Sequence, residues 1–78
     1  MSDDTIGERI EAARDRKVLG RSELARLAGM SYEGLFRIET GSRMPRRATI
    51  RKLAAALDVD PLYLLEGNSQ TTKGAAPE

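Results

Sequence analysis

Gly29 lies between two short helical segments and constrains the fold of this chain more than any other residue. Apolar residues recur at helical spacing before it, over residues 21–28, and again after Ser31, over residues 32–40. A turn with positive φ at the end of a helix favours glycine, because glycine has no Cβ to clash with the backbone. We therefore expect two helices joined by a three-residue turn.

Small and aliphatic residues at set distances from Gly29 allow these two helices to fit together. Ala25 leaves room for a close crossing, while Leu35 and Ile38 anchor the second helix from behind and leave its outer face free to project. The alternative is an ordinary helical hairpin inside a small bundle, which does not need this combination of small and aliphatic residues. The remaining apolar positions of the pair are Leu24, Ala28 and Met30.

Capping residues predict where the first helices begin and end. Thr5 and Glu8 fit a capping box, so helix 1 should run from about Ile6 to Lys17. Gly20 should stop helix 1 and serve as the N-cap of helix 2. Ser31 and Gly41 should begin and end helix 3 in the same way.

Two further helices complete an all-α fold. Helix 4 should run over about Arg47 to Leu57, which carries apolar residues on one face. Pro61 fits the first position of helix 5, with Asp60 as its N-cap and Gly67 at its end. No segment alternates apolar and polar residues over strand length, so we expect no sheet.

Length and composition narrow the class of protein. The 78 residues should form one domain over residues 5–67, with disordered ends at residues 1–4 and 68–78. Because the chain contains neither cysteine nor histidine, we expect no disulfide, metal, cofactor or enzyme activity. Its apolar runs are too short to span a membrane and its acidic start does not fit a signal peptide, so we expect a cytoplasmic protein.

The net charge of +1 conceals an uneven distribution of basic residues. Residues 37–52 hold six bases against one acid, whereas residues 1–20 hold five acids and four bases. A basic stripe confined to one segment is typical of a surface that binds phosphate, although a solvated charged face is the alternative. The six bases are Arg37, Arg43, Arg46, Arg47, Arg51 and Lys52.

Taken together, the stretch around Gly29 resembles the phage Cro/CI-repressor family of helix-turn-helix regulators, often called XRE-type. The resemblance extends over about residues 6–67 and implies a compact five-helix, lambda-repressor-like fold. It also implies a homodimer that binds a near-palindromic double-stranded operator and regulates transcription, with repression favoured. The residues that match the family pattern are Glu23-Leu24-Ala25-Arg26-Leu27-Ala28-Gly29-Met30-Ser31, then Leu35, then Ile38-Glu39-Thr40-Gly41.

The resemblance implies that helix 3 contacts base edges through Tyr32, Glu33 and Arg37. Arginine suits the two acceptors of guanine, glutamate can accept from the amino group of cytosine, and the tyrosine ring suits a thymine methyl group. Two alternatives stay open. One is that Tyr32 and Glu33 form a plain exposed helix start. The other is that Arg37 contacts phosphate without reading sequence.

Contacts with the DNA backbone are expected around helix 3, where they position the protein and make its affinity fall with salt. Family members usually carry glutamine in place of Arg21, and that glutamine often braces the first recognition residue. Phe36 is unusual on a face expected to be polar, and it would pack on sugar, on a thymine methyl group or on another protein. The expected backbone-contact residues are Arg21, Ser31, Phe36, Arg43, Arg46 and Arg47.

Two structural roles also follow. In the family the acid before the glycine pairs with an arginine of helix 1, which implies an ion pair between Glu39 and Arg14. Helix 5 has more large apolar residues than one small core needs, so we expect a dimer interface there, unless these side chains are buried within the monomer. The expected interface residues are Leu62, Tyr63 and Leu65.

A protein-interaction module of the same fold, acting as a co-regulator or antitoxin with DNA binding secondary, is the competing function. Phe36 and Gly34 on the recognition face favour it, and the arginines around helix 3 oppose it. A regulatory protein partner fits either function. Because no sensor domain accompanies the predicted helix-turn-helix, we expect no small-molecule effector.

Overall fold

A computed structural model describes residues 5–67, which form five α-helices. No strand occurs within this range, so the all-α prediction is confirmed. The two ends predicted to be disordered, residues 1–4 and 68–78, lie outside the described residues. The helices are α1 (Ile6–Arg16), α2 (Arg21–Ala28), α3 (Tyr32–Thr40), α4 (Arg47–Leu57) and α5 (Pro61–Glu66).

Three of the helices begin at the predicted capping residues, whose side chains bond to backbone amides of the first turn. The Thr5 hydroxyl accepts from a backbone N–H of α1 at 3.1 Å, and the Ser31 hydroxyl accepts from the Gly34 N–H at 3.0 Å. The Asp60 carboxylate accepts from the Leu62 N–H at 2.9 Å. Each cap satisfies an amide that the helix itself cannot pair, so these local bonds decide where the helix starts.

The end of α1 differs from the prediction. α1 ends at Arg16 with Lys17 as its C-cap, within one residue of the predicted end, but Val18 and not Gly20 follows it in a left-handed conformation, with φ of 56°. Gly20 is the N-cap of α2, as predicted. The Leu19 N–H then bonds to the Arg14 carbonyl at 3.1 Å, and the Leu19 side chain packs against the core. A β-branched residue in this conformation is strained by about 1–2 kcal/mol.

All five helices contribute to one hydrophobic core. The residues predicted to hold the two central helices together are buried, except for Met30, which is half-buried. The inner face of α4 is buried as its spacing predicted. The core consists of Ile10, Ala13, Leu24, Ala25, Ala28, Leu35, Ile38, Ile50, Leu53, Ala54, Leu57 and Leu64.

A close crossing at Gly7 joins α1 to the end of α3. A Cβ on this residue would collide with the backbone carbonyl oxygens of Ile38 and Glu39, and would lie 2.5 Å from the second. Only glycine therefore permits the two helices to approach this far. The sequence pattern contained no signal for this role, since the partner atoms lie more than thirty residues along the chain.

Arg9 ties α1 to the last helix. Its Nε donates to the Leu64 carbonyl at 2.9 Å and its Nη2 donates to the Leu65 carbonyl at 2.8 Å. The side chain is buried, so these charge-assisted bonds form in a site with little water. They satisfy carbonyls near the end of α5, a helix of only six residues.

Candidate nucleic-acid interface

The turn between α2 and α3 sets the direction of α3. Gly29 takes the expected left-handed conformation with φ of 71°, and the Met30 N–H bonds to the Ala25 carbonyl at 2.9 Å. Gly41 ends α3 in the same conformation, with φ of 90°. Because Ala25 is buried at the crossing, α3 packs closely on α2 and its far side faces outward.

The outward face of α3 presents two parallel rows of side chains. On the inner face, Leu35, Ile38 and Glu39 are buried. Residues four apart on a helix lie one above the other, so each outward row contains a pair at that spacing. The aromatic row consists of Tyr32 and Phe36, and the charged row consists of Glu33 and Arg37; all four are exposed.

Arg21 holds the aromatic row in place. The two rings stack, with centroids 6.4 Å apart and planes 9° from parallel. The Arg21 guanidinium carbon lies 5.0 Å from the Phe36 ring centroid, and its Nη1 donates to the Tyr32 hydroxyl at 3.5 Å. Tyr32 nevertheless remains 49% exposed and Phe36 41% exposed. Arg21 thus braces the first recognition residue, although it replaces the glutamine that is usual in the family.

Behind α3, Glu39 binds two arginines. Arg14 Nε donates to Glu39 Oε2 at 2.8 Å, and Arg14 Nη2 donates to Oε1 at 3.1 Å. Arg21 Nε donates to the same Oε1 at 2.9 Å. The Glu39 side chain is only 1% exposed. One carboxylate near the end of α3 therefore links this helix with the start of α2 and with α1.

The sequence predicts a phosphate contact for Arg21 but not its bond to Glu39. The hydrogen bond to Glu39, together with a weaker bond to Tyr32, raises the pKa of Arg21 above its ordinary value. The available signal was the replacement of the family's glutamine by a long cation. Spacing alone could not reveal the contact, because its two residues lie 18 positions apart.

The two residues of the charged row form an ion pair within α3. Arg37 Nη2 donates to Glu33 Oε2 at 2.8 Å, and both side chains are well exposed. An exposed pair at this spacing contributes only about 0.3–0.5 kcal/mol, so either partner can exchange it for a base at little cost. The pair meanwhile holds the guanidinium over the helix face.

The arginines after α3 flank this face. Arg43, Arg46 and Arg47 are all exposed in the loop before α4 and at its first residue. The N-cap of α4, Arg46, makes no side-chain bond, so its side chain does not satisfy the first amides of this helix. A shallow groove runs from the start of α3 to this loop, and its lining includes Ser31, Gly34, Arg43, Arg46 and Thr49.

The three predicted dimer residues of α5 do not share one surface. Leu62 is 52% exposed and Leu65 is 41% exposed, and both line a groove between α4 and α5. Tyr63 instead packs against the monomer's own core, with Arg16 donating to its hydroxyl at 3.4 Å. The outward apolar surface of α5 is therefore narrower than the sequence predicted.

Neither a metal site nor a membrane helix is found among residues 5–67. The acidic side chains of these residues form no cluster of three that could hold a metal ion. No helix in this range is both long and apolar enough to cross a bilayer.

The arrangement is that of a helix-turn-helix DNA-binding domain: a glycine turn, an exposed second helix and exposed arginines beside it. The sequence profile of the family described as "Helix-turn-helix domain" matches residues 5–64. This chain belongs to the helix-turn-helix family of transcriptional regulators of the Cro/CI (XRE) type.

Relatives at the sequence level are named as transcriptional regulators. The HTH-type transcriptional repressor RghR of Bacillus subtilis is 42% identical over 57 residues, which are 72% of this chain and 42% of RghR. The regulator Mb0023 of Mycobacterium bovis is 33% identical over 61 residues, 78% of this chain and 24% of Mb0023. The chain thus spans less than half the length of these relatives.

Solved structures share the five-helix fold. The DNA-binding domain of the P22 C2 repressor superposes with a TM-score of 0.79 at 30% identity, over 86% of this chain and 88% of that domain. The restriction-modification controller protein C.AhdI of Aeromonas hydrophila gives 0.74 at 36% identity, covering 76% and 89%. The N-terminal DNA-binding domain of SinR from Bacillus subtilis gives 0.76 at 37% identity, covering 78% and 90%.

Proposed function

We propose that this chain is a sequence-specific regulator of transcription, a repressor that binds a near-palindromic double-stranded operator as a homodimer. The observation that carries the proposal is the outward face of α3, which has two ordered rows of side chains and no covering element among residues 5–67. An exposed helix of this width fits the major groove of B-DNA. RghR is named a repressor, and C.AhdI is named a controller protein.

Base reading is assigned to Tyr32, Glu33 and Arg37. Arg37 offers two parallel N–H donors to N7 and O6 of guanine once it leaves Glu33. Glu33 can then accept from a cytosine amino group, and it repels phosphate where no such donor is present. The pair therefore favours a G·C-containing site over random duplex.

Backbone contacts are assigned to the exposed arginines that flank α3, namely Arg43, Arg46 and Arg47, and to Ser31 at its start. Each arginine that meets a phosphate releases a counterion, so affinity should fall steeply with salt. Arg21 is assigned a smaller part of the backbone contact than the other arginines, because its Nε is already bonded to Glu39. Phe36 lies beside these contacts on the aromatic row.

Dimerisation is assigned to α5 and the end of α4. Leu62 and Leu65 face outward and form the patch, whereas Tyr63 packs against the monomer's own core and is left out of it. A two-fold interface would use the same patch on both copies. The two copies of α3 would then enter successive major grooves about 34 Å apart on one side of the DNA.

A regulatory protein partner is the second candidate, and one comparison favours it. The SinR protein/SinI protein complex superposes with a TM-score of 0.78 at 35% identity, over 86% of this chain and 66% of that chain. A protein-interaction role would use exposed apolar residues such as Phe36, Leu62 and Leu65. This role adds to the DNA-binding proposal and does not replace it, because a protein-interaction role alone leaves the arginines beside α3 without a function.

Selection of bound sites from a random DNA pool tests the main proposal. We expect a two-fold symmetric motif and a dimer of this chain on each selected duplex, measured by light scattering. The logarithm of affinity should fall with the logarithm of salt concentration. For substitutions of the flanking arginines, Arg26→Ala is the matched control, because it removes an exposed arginine on α2 and not one beside α3. Binding without a motif, or a salt slope near zero, would refute the proposal.

A further inference from the structure

Two of the three aromatic residues in this chain lie exposed on the outward face of α3. The fully buried side chains of the core are aliphatic, so no aromatic residue is needed to fill it. Large apolar rings on a face that meets a polyanion require a specific reason. The aromatic row is therefore a candidate for recognition of an apolar group.

The aromatic row is ordered before any partner binds. Stacking fixes the Tyr32 and Phe36 rings against each other, and the Arg21 guanidinium covers Phe36 at 5.0 Å from its centroid. Arg21 is itself held by the buried carboxylate of Glu39. Little side-chain entropy remains to be lost when a partner contacts these rings, which favours affinity.

Base edges in the major groove offer one apolar feature, the C5-methyl group of thymine. A phenylalanine ring has no strong hydrogen-bond donor or acceptor, so it cannot read the polar groups of the other bases. 5-Methylcytosine carries its methyl group at the same ring position as thymine. We infer that the aromatic row, Phe36 above all, reads a pyrimidine 5-methyl group, an inference that rests on the proposed DNA-binding function.

Replacement of thymine by uracil tests this inference, because it removes the methyl group and keeps the base pair. The probe is the duplex obtained by site selection, with uracil placed at one thymine at a time. We expect an affinity loss of about fourfold at each contacted thymine, from the burial of one methyl group. Phe36→Ala should bind the thymine and uracil duplexes equally.

A second comparison isolates the methyl group on the other base. Where a contacted T·A pair is changed to C·G, methylation of that cytosine at C5 should restore about fourfold in affinity for the unmodified chain. Phe36→Ala should show no such gain. Leu27→Ala is the matched control, because it removes an exposed apolar side chain from α2 and should keep both methyl effects. Phe36→Leu, which keeps an apolar contact, should retain part of them.

Several results would overturn the inference. The inference fails if the selected half-sites contain no thymine, or if every thymine duplex binds as tightly as its uracil counterpart. It also fails if Phe36→Ala loses the same affinity on the thymine duplex and on the uracil duplex. The last result would show a contact with sugar. Thermal unfolding of Phe36→Ala verifies that the variant is folded. Failure to select any motif refutes the proposed function as well, whereas a symmetric motif bound without regard to methyl groups refutes this inference only.

Discussion

Substitution of Gly7 by alanine should destabilise the fold, although alanine is the better helix former. Propensity alone favours alanine over glycine inside a helix by about 1 kcal/mol. The added Cβ, however, would collide with the carbonyl oxygens of Ile38 and Glu39. These are backbone atoms and cannot rotate away, so α1 must move off α3.

The size of the effect follows from these two terms. Overpacking in a dense core costs about 1–3 kcal/mol, and a collision with backbone belongs at the upper end, about 3 kcal/mol. Subtraction of the propensity gain leaves a net loss of about 2 kcal/mol in the free energy of unfolding. For a domain of this size that corresponds to a fall in melting temperature of about 8–16 °C.

Gly34→Ala is the matched control, because it makes the same chemical change in another helix. There the new Cβ would meet the Ser31 hydroxyl oxygen, which caps α3, at 3.1 Å and the Met30 Cε at 3.7 Å, so a side chain and not the backbone has to give way. Gly34→Ala should therefore change the free energy of unfolding by less than about 1 kcal/mol, because the gain in helix propensity is offset by crowding at the cap. Urea and thermal unfolding, followed by circular dichroism, measure both variants. If Gly7→Ala melts at or above the temperature of the unmodified chain, the crossing argument is refuted.

Three further substitutions test other parts of the structure. Glu39→Ala should cost about 3 kcal/mol of unfolding free energy, because it leaves Arg14 buried without its carboxylate; a loss below 1 kcal/mol in urea unfolding would contradict this. Val18→Gly should raise stability by about 0.5–1 kcal/mol, since it relieves left-handed strain at a side chain that is 87% exposed; a lower melting temperature would contradict it. Arg37→Ala should cost about 1–3 kcal/mol on the best selected site and relax preference at one base step, whereas an equal loss on all duplexes would identify a phosphate contact.

Local sequence chemistry was sufficient to predict the helices of this protein. Caps such as Ser31 and Asp60 and the left-handed glycine at position 29 act through atoms a few residues away, so their effects can be read from spacing. The apolar period likewise predicted which face of α3 and α4 is buried. The error at the end of α1 arose because Val18 adopts a conformation that glycine usually takes, and the tertiary packing of Leu19 compensates for the strain.

The arrangement of the candidate site depended on contacts between distant residues. Spacing could place Tyr32 and Phe36 on one row, but only the folded chain shows Arg21 lying over that row and bonded to Glu39. The outward direction of Leu62 and the inward packing of Tyr63 were likewise decided by how α5 docks.

A sequence therefore determines features whose energy depends on neighbouring residues, namely caps, turns and helix faces. The structure alone decides which atoms from separate helices meet, because that depends on the crossing of all five helices at once. Gly7 illustrates the difference, since nothing near it in the sequence explains why it must lack a side chain. The reason is the backbone of α3, which packing brings against it.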